Sequence, residues 1–423
     1  MHDEMSEKKV RTRSGVASVV VIVLFIFGIG YLVGLRGYFS SAVPSPVSGL
    51  VAGAQPPKGV DFSPVWKAWN AIDDKFVPAA VATSSRAATS TADANKKRVW
   101  GMIQGLSSAL DDPYTFFLPP AENKLFAEDM SGVFEGVGME IAIRDDILTV
   151  VSPLKGTPSE RAGIKSGDNV LKIDGEETRG LDVTEAVKRI RGPRGSIVAL
   201  TILRSGWTEP RIFEVTRETI NVPPLTTELK DDVFIIAISS FTSSSPDMFR
   251  KALREFIDSD KTKLIIDLRG NPGGYLEAAV DMASWFLPSG RVIVTEDYAE
   301  HEGNIVHRSR GYDVFNENLK MAIIVNRGSA SASEIFADAL RYWGKAKLVG
   351  EPTFGKGSVQ ELVEITHDTA LKITVARWLG PGGDQIPLTG IVPDVEVKMT
   401  EDDIEAGKDP QMDKAIEIVN SSL

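Results

Sequence analysis

The 423-residue chain reads as an α+β multidomain protein. Its length exceeds what a single hydrophobic core usually serves and points to about two to four domains. Short strand-like runs separated by turn residues fill residues 131–217. After Thr219, apolar runs alternate with amphipathic helical stretches, the pattern of a parallel or mixed sheet with helices packed on it. The expected order is a basic tail and transmembrane helix over 1–39, a flexible linker over 40–60 and a helical region over 61–130. A strand-rich module over 131–217, a sheet-plus-helices core over 218–400 and a helical tail over 401–423 complete it.

Val16 to Leu35 carries no charge and follows Lys8, Lys9, Arg11 and Arg13, the length and flanks of a membrane-spanning helix with its basic end in the cytoplasm. Ser40-Ser41-Ala42 also resembles a signal-peptide cleavage site. Either reading exports the rest of the chain, and the anchored one places it outside the cytoplasmic membrane. Ser40 to Lys58 is rich in Ser, Pro, Gly and Ala and reads as a tether. Phe62, Val65, Trp66, Trp69, Ile72 and Phe76 recur at helical spacing, as do Val99, Met102, Ile103, Leu106 and Leu110. The Ala/Ser/Thr-rich stretch Val81 to Asn95 between them reads as a mobile loop.

In the module, strands are expected at Ile147 to Val151, Asn169 to Ile173 and Val198 to Leu203. A helix is expected near Asp182 to Ile190, with Asp182 and Glu185 at N-cap and N3 spacing. In the core, strands are expected at Val233 to Ile238, Leu264 to Leu268, Val292 to Val294 and Met321 to Val325. Leu276, Ala279, Val280, Ala283 and Phe286 share one helical face. The net charge of −11 argues against a nucleic-acid partner, which needs a concentrated positive field. The absence of cysteine excludes disulfides, a thiol nucleophile and cysteine metal sites.

The chemistry concentrates between Asn326 and Gln360. Ser331 falls where the strand Met321 to Val325 turns into a helix carrying Ile335, Phe336, Ala339 and Leu340. At such a turn its hydroxyl is open to substrate, and first-turn amides, including that of Ala332, face a developing oxyanion. The competing reading is a small-residue helix start that serves capping and packing. Lys356 lies between Gly355 and Gly357. A buried lysine loses its proton more readily and can act as a general base, whereas a solvated loop lysine cannot. Gln360, four residues on, would share a side with Lys356 and orient its amine. A serine with a lysine base is one of the recognised constellations for peptide-bond hydrolysis. In Asp267-Leu268-Arg269-Gly270-Asn271-Pro272-Gly273-Gly274, glycines at a strand's carboxyl end can turn backbone amides into a crevice, so Gly273, or else Gly274, is the candidate partner of the Ala332 amide. The same residues also suit a plain tight turn.

Other motifs compete for these residues. Gly350 to Lys356 matches the opening of a phosphate-binding loop but continues with Gly357 where Ser or Thr is required. The Ser331 segment is not a G-x-S-x-G elbow. His301, Glu302 and His307 have the wrong spacing for a helical zinc site and read as loop residues, so no metal is expected. A triad through His367 stays open, with no motif near it.

Together these segments resemble the carboxyl-terminal processing peptidases, or tail-specific proteases. The likeness runs from Phe62 to about Val397. It includes Gly105-Leu106 through Asp112-Pro113-Tyr114, Phe134-Glu135-Gly136-Val137-Gly138, Ser152 to Pro158, Ala162-Gly163-Ile164-Lys165-Ser166-Gly167-Asp168 and Ile190-Arg191-Gly192. The resemblance implies that Ser331 is the nucleophile, Lys356 the general base and Gln360 the residue that positions the lysine. It implies a PDZ domain over residues 131–217 and a crotonase/ClpP-like protease core. A substrate's C-terminus would dock at Gly136, Val137, Gly138 and Met139, as a strand added beside the helix near Asp182. Arg191, at the end of that helix, is the candidate for coupling peptide occupancy to the protease. No cofactor is implied. The expected partners are proteins with accessible C-termini, the membrane through the N-terminal helix, an adaptor or activator, and a second copy of the chain.

Overall fold

The computed structural model describes residues 57–77, 91–144, 146–299 and 303–421. The expected span Val16 to Leu35 lies outside them, and no helix among the described residues is long and apolar enough to cross a membrane. The chain divides into two units between Ala87 and Ala88. In the first, Ser63–Lys75 is helical, with Pro64 in the first turn, where a missing N–H leaves no bond unmade.

In the second unit, the helix Thr91–Ser108 begins inside the stretch expected to be a loop. Residues 81–90 of that stretch lie outside the described residues. For Thr91 to Asn95, alanines at 92 and 94, Asp93 in the first turn and the following Lys96 and Lys97 favour helix over the local Ser/Thr bias. The region expected to be helical also contains a strand, Phe116–Leu118. It joins the core's second sheet by pairing antiparallel with Thr369–Leu379, placing Phe116 opposite Lys372.

The strand Val133–Gly136 pairs antiparallel with Glu218–Asn221, so the chain enters and leaves the strand-rich module side by side. Between them, Met139–Arg144, Ile147–Pro153, Asn169–Ile173, Ile197–Leu203 and Arg211–Thr216 form a separate sheet, with Glu176–Glu177 on the third strand. Their alternation buries Leu148, Val150, Val170, Ile173, Val198, Leu200 and Ile202 against Ala186 and Ile190 of the helix Val183–Ile190. Asp182 caps that helix by accepting from the Glu185 amide at 2.8 Å, as its spacing predicts.

The core is built on a six-stranded mixed sheet in the order Leu225–Lys230, Val233–Ile238, Lys263–Asp267, Lys320–Val325, Lys347–Gly350 and Val395–Glu396. Its first pair is antiparallel and the others parallel. The four inner strands are largely apolar because both faces are covered, whereas the edge strand Leu225–Lys230 is exposed after Leu225. Ile236, Leu264, Ile266, Ile323 and Val325 pack with Phe249, Phe256, Phe286 and Phe336, from or beside the helices Ser245–Asp258, Leu276–Ala283 and Ala332–Tyr342. Burial of each such phenylalanine contributes about 1.5–3 kcal/mol. On the other face, Ile235, Ile265, Ala322, Ile324 and Val349 pack with Met412, Ala415 and Val419 of the helix Pro410–Asn420. A second sheet joins Phe116–Leu118, Thr369–Leu379, Val292–Asp297 and Ile305–Arg308, with Ser358–Thr366 also paired to Thr369–Leu379. His307, expected in a loop, lies on the last strand of its hairpin, its Nε2 2.6 Å from Glu296 Oε1. His301 lies outside the described residues.

Candidate active site

The central strand Lys320–Val325 ends at Asn326, and the turn that follows is fixed from within. The Ser329 amide donates to Asn326 O at 2.8 Å, and the Asn326 amide donates to Ser329 Oγ at 3.0 Å. Ser329 Oγ in turn donates to Leu268 O at 2.8 Å, while the Ala330 amide and Ser333 Oγ both donate to Asn271 O at 3.0 Å. The serine turn is thereby tied to the glycine-rich loop after the neighbouring strand. Ser331, the residue before the helix Ala332–Tyr342, has φ 55° and ψ −115°. Such a backbone costs a non-glycine residue about 1–3 kcal/mol and persists only where the surroundings impose it.

Glu334 supplies that constraint. Its side chain is fully buried. One carboxylate oxygen, Oε2, accepts the amides of Ser331 at 2.8 Å and Lys356 at 3.0 Å. The other, Oε1, accepts Thr353 Oγ1 at 2.6 Å and the Gly355 amide at 2.8 Å. Thr353 Oγ1 accepts from the Ile391 amide at 2.7 Å, so its proton is directed at the glutamate. Residues 331 and 356, twenty-five positions apart in sequence, thus hang from a single oxygen atom. The helix pattern held a signal for this hub. Ser331 and Glu334 have the S-x-x-E spacing of a capping box, and the Glu334 side chain returns to the amide of residue 331 as that motif requires.

Lys356 lies in the loop before the strand Ser358–Thr366, its ammonium 5.8 Å from the ring centroid of Tyr114. Burial first, and the nearby charge of Lys372 second, lower its pKa from 10.5 to about 8, against the opposing pull of Glu334. Gln360 does lie four residues on, but Lys356 stands outside the strand, and the Gln360 amide donates to Ser358 Oγ at 2.8 Å and Thr374 Oγ1 at 3.4 Å. In this arrangement Gln360 braces the strand pair. The strand after Gly357 also removes the phosphate-loop alternative, which requires a helix there. His367 is exposed at the far turn of the same hairpin, which sets aside a triad through it.

The glycine loop follows Lys263–Asp267. Asn271 donates from Nδ2 to Ile238 O and accepts the Gly273 amide on Oδ1, each at 2.9 Å. Gly273 has φ 102°, and a Cβ on it would stand 2.9 Å from both the Ala332 nitrogen and Ser331 Cβ, so only glycine brings the loop this close to the serine. Gly274 has φ 142° and backs onto Phe241 O. The Gly273 amide, favoured from sequence, is engaged by Asn271. Among the described residues, no hydrogen bond uses the amide of Ala332 or of Gly274.

In the strand-rich module, Gly136 ends its strand, Val137 is buried and Met139 opens the next strand. Gly138, at φ 74°, accepts on its carbonyl from the Leu154 amide, Thr157 Oγ1 and Ser159 Oγ. A cleft of about 60 Å³ separates this segment from Val187, Ile190 and Arg191. Arg191 stacks over the Phe134 ring at 4.3 Å and pairs with Glu128 at 3.1 Å and Asp129 at 2.8 Å, both on the helix Pro120–Ser131. Lys188 reaches Glu122 of that helix at 3.3 Å. The helix end is therefore clamped to the region that precedes the module.

Residues 232–397 match the sequence profile of peptidase family S41, and residues 149–204 match that of the PDZ domain. The chain carries an S41 peptidase domain and a PDZ domain. It is 37% identical over 308 residues to carboxy-terminal processing protease CtpA of Bacillus subtilis strain 168, covering 72% of this chain and 64% of the relative. It is 36% identical over 312 residues to CtpB of the same strain, covering 72% and 63%. The chain thus spans less than two thirds of the length of these relatives. Among solved structures, the photosystem II D1 C-terminal processing protease superposes with a TM-score of 0.50 at 26% identity, over 79% of this chain and 92% of that one. The S41 match holds Ser331, Glu334 and Lys356, and the PDZ match holds the helix Val183–Ile190.

Proposed function

We propose that the chain is a serine endopeptidase that cleaves exported proteins recognised through their C-terminal residues. The observation that carries this reading is the suspension of Ser331 and a lysine of lowered pKa from one oxygen of Glu334. Ser331 Oγ attacks the scissile carbonyl while the neutral Lys356 amine takes its proton. The tetrahedral anion is received by the unengaged amides of Ala332 and Gly274, with Gly273 the alternative partner if Asn271 releases its amide. The intermediate collapses to an acyl-enzyme as the Lys356 ammonium returns its proton to the leaving amine. Water then completes hydrolysis with Lys356 again the base. Gln360 positions the hairpin that carries the loop of Lys356. The apolar N-terminal segment anchors the enzyme in the cytoplasmic membrane with this domain outside, and an adaptor, an activator and a second copy of the chain are its further partners.

The PDZ domain takes the substrate's terminal carboxylate at Gly136 to Met139, beside the helix Val183–Ile190. Arg191 links that groove to the helix Pro120–Ser131, so opening the small cleft strains the ion pairs to Glu128 and Asp129. Arg191→Ala is expected to reduce by about fivefold or more the kcat/KM advantage of a substrate with an apolar C-terminal tail over the same substrate with its tail blocked, a coupling of about 1 kcal/mol. Identical kinetics in wild type and variant on both substrates would end the coupling idea. The proteolytic reading is tested by digesting an unstructured protein bearing such a tail with wild type, Ser331→Ala and Lys356→Ala. Cleavage by wild type alone, with folding intact in all three, supports it. Binding of the tail without cleavage, even with partner proteins added, turns the reading to a scaffold that captures C-termini.

A further inference from the structure

Lys372 lies on the strand Thr369–Leu379, opposite Phe116 on one side and Leu362 on the other. Residues opposite one another, and residues two apart on one strand, share a sheet face, so Lys372 faces the same way as Thr374 and Gln360. Its ammonium rests 5.2 Å from the Phe116 ring centroid and 5.4 Å from that of Phe126, and the Lys356 ammonium rests 5.8 Å from that of Tyr114. Tyr114 and Phe116 are two residues apart, so their Cα atoms lie no more than about 7 Å apart. Two cations thus sit on neighbouring aromatic rings of one segment. The surrounding carboxylates are committed elsewhere: Glu122 to Lys188, Glu128 and Asp129 to Arg191, and Asp112 to Thr115 and the Tyr114 amide. Glu361 and Glu364 of the facing strand are exposed, and among the described residues Lys372 has no ion pair. Among the described residues, the buried carboxylate acting on Lys356 is Glu334, and it favours the charged form. Burial also moves Lys372 below its ordinary pKa, in keeping with a cation held without a counter-charge.

We infer that Lys372, seated on Phe116 and Phe126 beside Lys356, is a positioning residue that keeps the neighbouring amine in its neutral, proton-accepting form by like-charge repulsion. This rests on the reading of Lys356 as the base. A neighbouring cation without a counter-charge opposes protonation of Lys356 and offsets the opposite pull of Glu334. Because Phe126 belongs to the helix Pro120–Ser131, which also holds Arg191, movement of that helix would change how Lys372 is seated and hence the strength of the base.

The test is the pH dependence of kcat/KM for the full chain and its Lys372→Met, Lys372→Arg and Lys372→Glu variants, with Lys372→Gln standing in if the methionine variant does not fold. The expected result is an acid limb raised by about one pH unit in Lys372→Met, with the alkaline plateau within about threefold of wild type. The limb moves further in Lys372→Glu and returns to the wild-type position in Lys372→Arg. A limb that stays in place while activity falls equally at every pH overturns the inference and leaves Lys372 a packing residue. Titration of Lys356 by NMR of 13C-labelled lysine, assigned with Lys356→Ala, decides the matter independently of turnover. If wild type cleaves nothing, the peptidase reading fails, whereas an unmoved Lys356 midpoint in Lys372→Met sinks this inference alone.

Discussion

Lys356→Ala is expected to lower kcat/KM toward an unstructured protein by at least about 10⁴-fold, and raising the pH should not restore it, because the proton of Ser331 then has no acceptor. Wild-type activity should rise about tenfold per pH unit below a limb near 8 and level off above it, since only the neutral amine takes a proton. The direction follows from the lowered pKa. At the ordinary lysine value of 10.5, the neutral fraction at pH 7 would be roughly 300-fold smaller. Lys356→Arg separates a base from a mere positive charge. It keeps the charge, cannot lose its proton at any usable pH, and should be as inactive as alanine. Ser331→Ala should fall to the same floor, and the double variant no lower, because the two residues act as one unit. Stopped-enzyme cleavage assays across pH 5.5 to 10 with purified variants read all of these. A Lys356→Ala enzyme retaining a tenth of wild-type rate, or a wild-type profile flat through pH 8, would remove the lysine from the mechanism.

Elements with a strong local period were legible in the sequence. Asn169–Ile173 and Val233–Ile238 stand where their apolar runs predict, and Asp182 caps its helix through the Glu185 amide. The strand Phe116–Leu118 was not, because its three residues have no period of their own and are held by Thr369–Leu379, some 250 positions later. At the site, Ser331 and Lys356 could be named from motif and neighbours, but the atom joining them could not. Glu334 looks in sequence like an ordinary helix-start glutamate, and only the tertiary fold brings Thr353, Gly355 and Lys356 to its carboxylate. The same limit explains Gly273 and Gly274. Sequence offers two adjacent glycines with equal freedom, and the side chain of Asn271 engages one amide and leaves the other. Gln360 shows another limit, because its spacing from Lys356 says nothing of where the strand begins, at Ser358, or of the Ser358 and Thr374 hydroxyls that take its NH2 group.

Glu334→Ala is expected to reduce kcat by about 10³-fold and to destabilise the fold by about 3–5 kcal/mol, because four donors lose a fully buried acceptor. The kinetic part follows from the backbone of Ser331. Its φ of 55° is an unfavourable conformation held in part by the bond from its amide to Glu334 Oε2, and release lets the hydroxyl leave the position from which Lys356 can deprotonate it. Glu334→Gln should be milder, and its two possible orientations differ. With its NH2 toward Ser331 and Lys356, two backbone donors meet a donor. Turned toward Thr353 and Gly355, the Gly355 amide is stranded and the threonine hydroxyl rotates to accept, giving up the acceptor of its own proton. The second orientation costs less and leaves the Ser331 amide bonded, so the loss should be about 1–3 kcal/mol in stability and about 10- to 100-fold in kcat. Removing the negative charge also removes the pull that favours the Lys356 ammonium, so the acid limb of Glu334→Gln should move below pH 8, opposite to the shift expected for Lys372→Met. Urea unfolding and pH-resolved kinetics on both variants measure these effects together. Near-wild-type kcat in Glu334→Ala, or a limb that rises in Glu334→Gln, would mean that the carboxylate neither holds the serine nor acts on the lysine.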